Sequence, residues 1–376
     1  MAGFGRGVES RVILWYISPY TDHNEERELP TENQESSWVP TNPLYDPSKP
    51  MQVGGQAVIE GVMMRAPGSV ATAVRRANGE IVVKQERYLS VVEKYKILKL
   101  PVLRGAVGLV DMMYLGIRTL NFSAEVAMQD VESKDGKKNE NGQKKSQSSL
   151  ALAGTLVLAL ALGVGIFFVL PIVITTKVFH LEQSALEFNL VAGLIRISIL
   201  LGYLLAISLS KEIRRLFQFH GAEHKTVFAF ELSDQLIPPV VNVRSRFHPR
   251  CGTSFLLIVM FVAILAFSFL DALLIRLLGE LTIVTRLLTH LPFIPVVGGI
   301  SYEIIKFSAK HTTTWWGKIL IAPGLWLQRV TTKEPDESQV EVAIVALRCA
   351  LGLEDPGKYP LKELATGESL QAVTGN

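Results

Sequence analysis

One long apolar run constrains this chain more than any other feature: residues 150–176 are 27 consecutive positions without a charged side chain. A helix needs about 20 apolar residues to cross a bilayer, so this run predicts a first transmembrane span. Residues 189–210, with Arg196 as their one charge, predict a second span, and residues 252–270, charge-free until Asp271, predict a third. An apolar content of 48% against 19% charged residues favours a membrane protein over a soluble domain.

A fourth apolar segment, residues 287–302, carries no charge but contains Pro292, Pro295 and the pair Gly298-Gly299. It predicts either a kinked span or a segment that enters the membrane and returns, which requires protein around the broken backbone. The expected fold class is therefore a polytopic α-helical membrane protein with about four transmembrane helices.

Basic residues predict the orientation, because cytoplasmic loops of membrane proteins are enriched in Lys and Arg. Segment 211–250, between the second and third spans, has seven of them, whereas segment 177–188 has one. The connection after the third span carries only Arg276 and Arg286. We therefore expect a multi-pass protein with both termini and segment 211–250 in the cytoplasm.

The residues before the first span predict a small N-terminal α+β cytoplasmic domain at 51–131. Asn78-Gly79 separates two alternating segments within residues 70–87, and this dipeptide favours a β-hairpin because both turn positions tolerate positive φ. Apolar residues at helical spacing in 91–128, interrupted by Pro101, Gly105 and Gly108, predict two or three amphipathic helices.

Three polar segments lack any sustained pattern of apolar residues. Residues 1–50 are rich in Pro, Asn, Glu, Ser and Thr, which predicts a disordered arm. Residues 132–149 predict a flexible lysine-rich linker, and residues 353–376 predict a flexible tail.

The remaining segments complete the expected organisation. The transmembrane domain is expected at 150–306, with a cytoplasmic loop at 211–251 that holds the His and Cys candidates. Residues 307–352 predict interfacial and cytoplasmic helices. Within them, the apolar stretch 318–329 lies either along the membrane surface or in a plain core helix.

The most informative motif for chemistry is His220-Gly221-Ala222-Glu223-His224, in a basic segment whose pattern is helical. Residues four apart share one helix face, so His220 and His224 can offer imidazole nitrogens to one divalent cation. The spacing is the inverted zincin motif, in which the carboxylate, here Glu223, takes a proton from the water that the metal activates. The structural alternative is a solvated helical face at the membrane surface.

A second pair of candidate ligands precedes the third span in the run His248-Pro249-Arg250-Cys251-Gly252. His248 and Cys251 have a ligand-like spacing, and Pro249 and Gly252 suit the tight turn that a chelate needs. The alternatives are a small buried thiol at a helix start for Cys251 and an interfacial polar residue for His248. With two cysteines in the chain, we expect no disulfide framework.

Three sequence runs are distinctive in combination: residues 54–65 (GGQAVIEGVMMR), 219–225 (FHGAEHK) and 248–253 (HPRCGT). Together they resemble the YqhQ-like family of bacterial integral membrane proteins, over about residues 53–351. The proline-rich arm and the lysine-rich insert depart from the family pattern. The resemblance implies a protein of the bacterial inner membrane, described as a metal-dependent enzyme of unassigned function. That description rests on the same His and Cys residues.

Four further ionisable residues lie in or beside apolar segments. Glu60 and Glu303 are expected on the cytoplasmic side, each as a further ligand, a base or the partner of a basic residue. Arg196 and Asp271 lie in or beside predicted spans, where an unpaired charge is costly. We therefore expect each of these two to have a partner or to reach the interface.

The leading hypothesis is a membrane-embedded, metal-dependent hydrolase with its site at the cytoplasmic boundary. Zinc is the expected metal, because it favours His and Cys ligands and keeps a fourth position for water in catalytic sites. His220, His224 and Cys251 are the expected ligands, His248 a ligand or a neighbour of the ligands, and Glu223 the general base. The substrate stays open between a membrane protein, a peptide and a lipid head group.

Two other classes of function stay open. One is a non-catalytic membrane adaptor or assembly protein in which His220, His224, His248 and Cys251 close around a structural metal. The other is a transporter, which needs polar residues along several spans, and the first and third spans show almost none. The mild net charge of +3 does not indicate a nucleic-acid partner.

Overall fold

Residues 42, 51–134, 149–308, 311 and 314–360 are described by the computed structural model. These residues form one four-stranded sheet and eight helices of at least 15 residues. The expected arm, apart from Asn42, and most of the expected linker lie outside the described residues. Asn42 is buried, and its side-chain amide donates to the carbonyl oxygens of Pro67 and Ala350.

The sheet is an antiparallel meander in the order β1-β2-β3-β4. Its strands are β1 (Gly54–Val58), β2 (Gly61–Ala66), β3 (Gly68–Arg75) and β4 (Ile81–Tyr88). The hairpin expected around Asn78-Gly79 is confirmed, because Arg75 pairs with Ile81 and Gly79 has a φ of +90°.

The sequence pattern does not indicate β1 or β2, and for β2 the reason is burial on both faces. Val62 and Met64 belong to the core cluster that contains helix Glu337–Leu351, whereas Met63 packs with Leu115 and Phe122. Successive side chains of a strand point to opposite faces. A strand buried on both faces therefore reads as a continuous apolar run rather than an alternating one.

One long helix, α1 (Leu103–Lys134), follows the sheet after short helical turns at Val91–Lys94 and Lys96–Lys99. Gly105 and Gly108 lie inside α1 and do not divide it, contrary to the sequence prediction. Gly105 instead permits close packing, because a Cβ at this position would lie 2.9 Å from the Cα of Gly299.

The other long helices are α2 (Ser149–Val164), α3 (Ala185–Ile207), α4 (Lys211–Glu231), α5 (Gly252–Leu278), α6 (Ile283–Ser308), α7 (Trp315–Thr331) and α8 (Glu337–Leu351). Helix α2 continues through π-helical turns at Gly165–Val169 and Thr175–Phe179. Four segments, Val157–Phe179, α3, α5 and α6, are long and apolar enough to cross a membrane, judged by length and composition.

The fourth apolar segment belongs to one continuous helix, α6. It continues through Pro292 and Pro295 as one helix of 26 residues, about 39 Å long. By length and composition, α6 is therefore a candidate membrane span.

Helix α8 lies in the core between α4 and the sheet, and 11 of its 15 residues are buried. Asp336 caps it, since its carboxylate accepts from the Gln339 N–H while the Gln339 side chain accepts from the Asp336 N–H. Residues 353–360, expected in the flexible tail, return to the sheet, where the Tyr359 carbonyl accepts from the Val83 N–H at 3.2 Å.

Candidate metal centre

Helix α4 brings the first two candidate ligands onto one face, as its sequence pattern predicts. His220 and His224 lie one turn apart, with ring centroids separated by 4.5 Å. Gly221 between them lets α4 approach the segment after α7, because a Cβ there would lie 2.1 Å from the Lys333 carbonyl oxygen. The histidine face of α4 is therefore fixed against the connection between α7 and α8.

Cys251 lies at the N-cap of α5, where its Sγ accepts from the Thr253 N–H at 3.4 Å. The same Sγ is 3.4 Å from Nε2 of His220. One potential ligand atom from each of His220, His224 and Cys251 lies within 4.8 Å of the other two. In a tetrahedral zinc site, sulfur and imidazole nitrogen are about 3.5 Å apart, given bonds of about 2.3 and 2.0 Å to the metal. The donor types and spacing therefore fit a divalent transition metal.

Main-chain carbonyls hold Nδ1 of both imidazoles. Nδ1 of His220 is 2.8 Å from the Thr331 oxygen, and Nδ1 of His224 is 2.6 Å from the Arg246 oxygen. A carbonyl oxygen only accepts, so each Nδ1 carries a hydrogen, and the neutral form of each ring has its lone pair on Nε2. Metal-binding histidines almost always donate their second N–H in this way. Both rings are thus oriented to offer Nε2 to a metal.

Cys251 and His224 form a buried, electrostatically coupled pair. Burial raises the pKa of the Cys251 thiol, but His224 and His220 outweigh this effect, so the pKa lies well below its ordinary value. Burial lowers the pKa of His224, whereas the Cys251 thiolate and the Glu223 carboxylate together raise it to about 9. The lowered pKa of Cys251 favours the thiolate, the form that binds metals, and metal binding to His224 would release its proton.

His248, the fourth candidate ligand, does not join this group. Its Nε2 is 3.2 Å from a Glu231 carboxylate oxygen, and its Nδ1 accepts from the Arg250 N–H at 3.3 Å. Burial and the charge of His224 lower the pKa of His248 to about 4, so the ring is neutral and its Nε2 donates to Glu231. With its ring centroid 5.8 Å from that of His224, His248 lies beside the ligand group.

Glu223 is buried beside the ligand group, between α4 and β1. One carboxylate oxygen is 3.5 Å from Nε2 of His224, and the residue is only 6% exposed. A Cβ on Gly55 would lie 3.0 Å from Cγ of Glu223, so the glycine makes room for this side chain. The first two distinctive sequence runs therefore meet here, and the motif is not a solvated helical face.

Two buried polar residues that the sequence pattern does not single out hold the surrounding loops. Gln328 of α7 accepts from the His248 N–H and donates to the His248 carbonyl, both at 2.8 Å. Lys225 is 4% exposed and forms an ion pair with Glu334. The position of Gln328 directly after the apolar run 319–327 is a sequence signal that could have indicated its structural role.

The other ionisable candidates have partners outside the ligand group. The contacts are Glu60 with Arg215, Glu303 with Arg104, Asp271 with Asn189 and His290, and Arg196 with the Phe167 carbonyl. The expectation that Arg196 and Asp271 have partners is confirmed. Of the three roles expected for Glu60 and Glu303, the structure shows that of the partner of a basic residue.

Similarity to known proteins covers most of the chain, including every residue of the ligand group. Residues 100–353 match a family described as "Protein of unknown function (DUF1385)". The chain is 33% identical over 320 residues to the "Uncharacterized protein YqhQ" of Bacillus subtilis (strain 168), covering 81% of this chain and 94% of that protein. No solved structure matches the chain. The chain therefore belongs to the YqhQ-like family, whose members share a domain of unknown function.

Proposed function

We propose that this protein is a membrane-embedded, metal-dependent hydrolase with zinc as its metal. Its substrate would be a membrane protein, a peptide or a lipid head group. The observation that carries the proposal is the group of His220, His224 and Cys251, in which two oriented imidazoles face the Cys251 sulfur. Within the described residues, no fourth His, Cys, Asp or Glu belongs to this group.

Ligand number separates the catalytic from the structural alternative. Catalytic zinc sites use three protein ligands and keep a position for water, whereas structural sites use four protein ligands. His248 is engaged by Glu231 and Arg250, which supports the open alternative. When bound, zinc would supply Lewis-acid activation of water near neutral pH.

Glu223 is the best placed residue for the general base. Its carboxylate lies 3.5 Å from Nε2 of His224, at the edge of the ligand group. Packing against Gly55 holds the side chain there, and its burial keeps it away from bulk solvent. A carboxylate held within reach of water in the site can accept a proton from it during attack on a carbonyl or phosphoryl group.

The proposed location is the cytoplasmic boundary of the membrane. Cys251 directly precedes α5, and α4, which carries both histidines, begins shortly after α3 ends. Cys251 therefore lies at the start of one candidate span, and the helix with both histidines begins at Lys211, four residues after another candidate span ends at Ile207. The seven basic residues of segment 211–250 support the cytoplasmic side, and an even number of spans gives both termini the same side.

A structural metal site in a membrane adaptor is the second candidate, and burial favours it. His224, Glu223 and Cys251 are 2%, 6% and 7% exposed, so a substrate would reach the group past the partly exposed His220. A metal bound by these ligands would tie α4 to the start of α5. In this alternative, Glu223 has no chemical role.

The open position can be tested with protein in which Co²⁺ replaces zinc, because the visible spectrum of cobalt reports its ligands. Titration with acetohydroxamate is expected to shift the spectrum of the wild type, since this chelator binds at an exchangeable position. An unchanged spectrum with cobalt bound would favour the closed structural site. His248→Ala is the matched control: if His248 were the fourth ligand, this variant would respond and the wild type would not.

A further inference from the structure

The structure contains another buried charged group, in α3, the helix that precedes the histidine helix α4. Arg196 of α3 is 6% exposed, and its Nε donates to the Phe167 carbonyl at 3.0 Å. Its guanidinium carbon lies 5.1 Å from the centroid of the Phe168 ring. In the part of the chain that the structure describes, its two terminal nitrogens have no hydrogen-bond or carboxylate partner.

The Phe167 carbonyl alone does not satisfy the hydrogen-bond donors of the Arg196 guanidinium. Phe167 lies in the π-helical turn Gly165–Val169, where the backbone bonding of the α-helix is interrupted. The hydrogen bond to this carbonyl uses only one of the five N–H donors of the arginine. Such π-helical turns occur frequently at functional sites, and an ionisable residue within a span suggests a ligand or transport role.

Arg196 lines a cavity of about 370 Å³ between α2, α3, α5 and α6, which is open on the side of the exposed residues Leu160 and Ile294. The other residues that line it are apolar, and they include Gly163, Val259, Ala263 and Phe267. On α5 the cavity extends from Val259 to Phe267, which is about 12 Å of helix. Pockets for small ligands commonly combine this size with apolar walls and a few polar groups.

We infer that this cavity binds a long-chain carboxylate, with the carboxylate on the terminal nitrogens of Arg196 and the alkyl chain along the apolar walls. A guanidinium and a carboxylate match as a two-pronged pair. A phospholipid head group would bury several further polar oxygens, and Arg196 is the one polar side chain among the lining residues. This inference does not depend on the metal centre, since no residue of the metal centre lines the cavity.

The test is native mass spectrometry of the purified full-length protein in a non-ionic detergent, with palmitate as the probe. One palmitate adduct is expected on the wild type. Hexadecanol, which has the same chain without the charge, should compete at least about tenfold more weakly, because it cannot form the charged pair. Hexadecanol or phosphatidylglycerol competing as well as palmitate would overturn the inference.

Two variants separate the charge from the cavity. Arg196→Leu removes the guanidinium, whereas Gly163→Leu fills the cavity with a side chain. The leucine should not disturb the fold, because a Cβ at Gly163 would meet no atom within 4 Å. Both should lose palmitate by at least about tenfold. The matched controls are Arg276→Leu, at an exposed position of α5, and Gly154→Leu, at an exposed position of α2; both should bind as the wild type does. Wild-type binding by Gly163→Leu, which leaves Arg196 in place, would contradict the cavity as the site.

Discussion

The Sγ of Cys251 lies 3.4 Å from Nε2 of His220, across 31 positions of sequence. This contact joins the start of α5 to the middle of α4. The carbonyls that orient the two histidines come from elsewhere again, Thr331 at the end of α7 and Arg246 in the loop before α5. The ligand group is therefore a product of packing between separate segments, and substitutions in any of them should affect metal binding.

Metal content is expected to depend on Cys251 and not on the other cysteine. The purified wild type should hold one divalent transition metal, and Cys251→Ala should lose it, because two imidazoles alone form a much weaker site. Cys349→Ala is the control, since Cys349 is also buried but lies in α8, where burial raises the pKa of its thiol to about 12. Elemental analysis of the detergent-purified proteins measures the outcome. A folded, metal-free wild type would contradict both metal hypotheses.

Replacement of His248 should have a smaller effect than replacement of His220. His220→Ala removes a ligand, whereas His248→Ala removes a neighbour that contacts Glu231. Loss of a residue that hydrogen-bonds a ligand typically lowers metal affinity by about 10- to 100-fold, and loss of His248, whose ring bonds Glu231 and the Arg250 N–H instead, should cost no more than that. Competition with a chromogenic chelator gives both affinities. If the two variants lose metal equally, His248 is a ligand and the site has four.

Glu223→Gln distinguishes the hydrolase from the adaptor. The substitution keeps the shape of the side chain and removes the proton acceptor, so a hydrolase should lose about 10²- to 10⁴-fold in rate while keeping its metal. The readouts are complementation of a deletion strain and metal content. Because Glu223 is buried, the melting temperature of the variant is needed to exclude loss of folding. Full complementation by a metal-loaded variant would favour the adaptor, and metal loss would make Glu223 a ligand.

Gly221→Ala should loosen α4 from the segment after α7. The new Cβ would lie 2.1 Å from the Lys333 carbonyl oxygen, and overpacking of this kind typically lowers the free energy of unfolding by about 1–3 kcal/mol. Gly108→Ala in α1 is the control, because its Cβ meets no atom within 4 Å and alanine favours a helix by up to about 1 kcal/mol. Thermal unfolding in detergent compares them, and equal melting temperatures would argue against the tight contact.

Accessibility in intact cells tests the proposed topology. Single cysteines at Gln183, Val243 and Ser338, all exposed, are introduced into a Cys251→Ser/Cys349→Ser background. An impermeant thiol reagent should label only the Gln183→Cys variant, because the other two positions belong to the proposed cytoplasmic side. Labelling of Val243→Cys would place the ligand loop outside the cell and refute the model of orientation.

Much of the architecture follows from properties that a short stretch of sequence carries by itself. An apolar run long enough to cross a bilayer needs a helix to satisfy its backbone, so the four candidate spans were predictable from length and charge. The spacing of His220 and His224 is likewise local, since residues four apart share a helix face in any α-helix. The hairpin at Asn78-Gly79 depends on two residues that accept positive φ.

Only the tertiary structure decided which candidates meet. His248 and Cys251 lie three residues apart in the sequence, yet Cys251 faces His220 while Glu231 holds His248 away from the group. The same holds for β2, whose two buried faces exist only because helices cover both, and for the cavity beside Arg196. The physical reason is that sequence spacing determines side-chain directions within one helix or strand. Contacts between elements depend on how their surfaces pack, and the packing of each helix or strand depends on all of its neighbours.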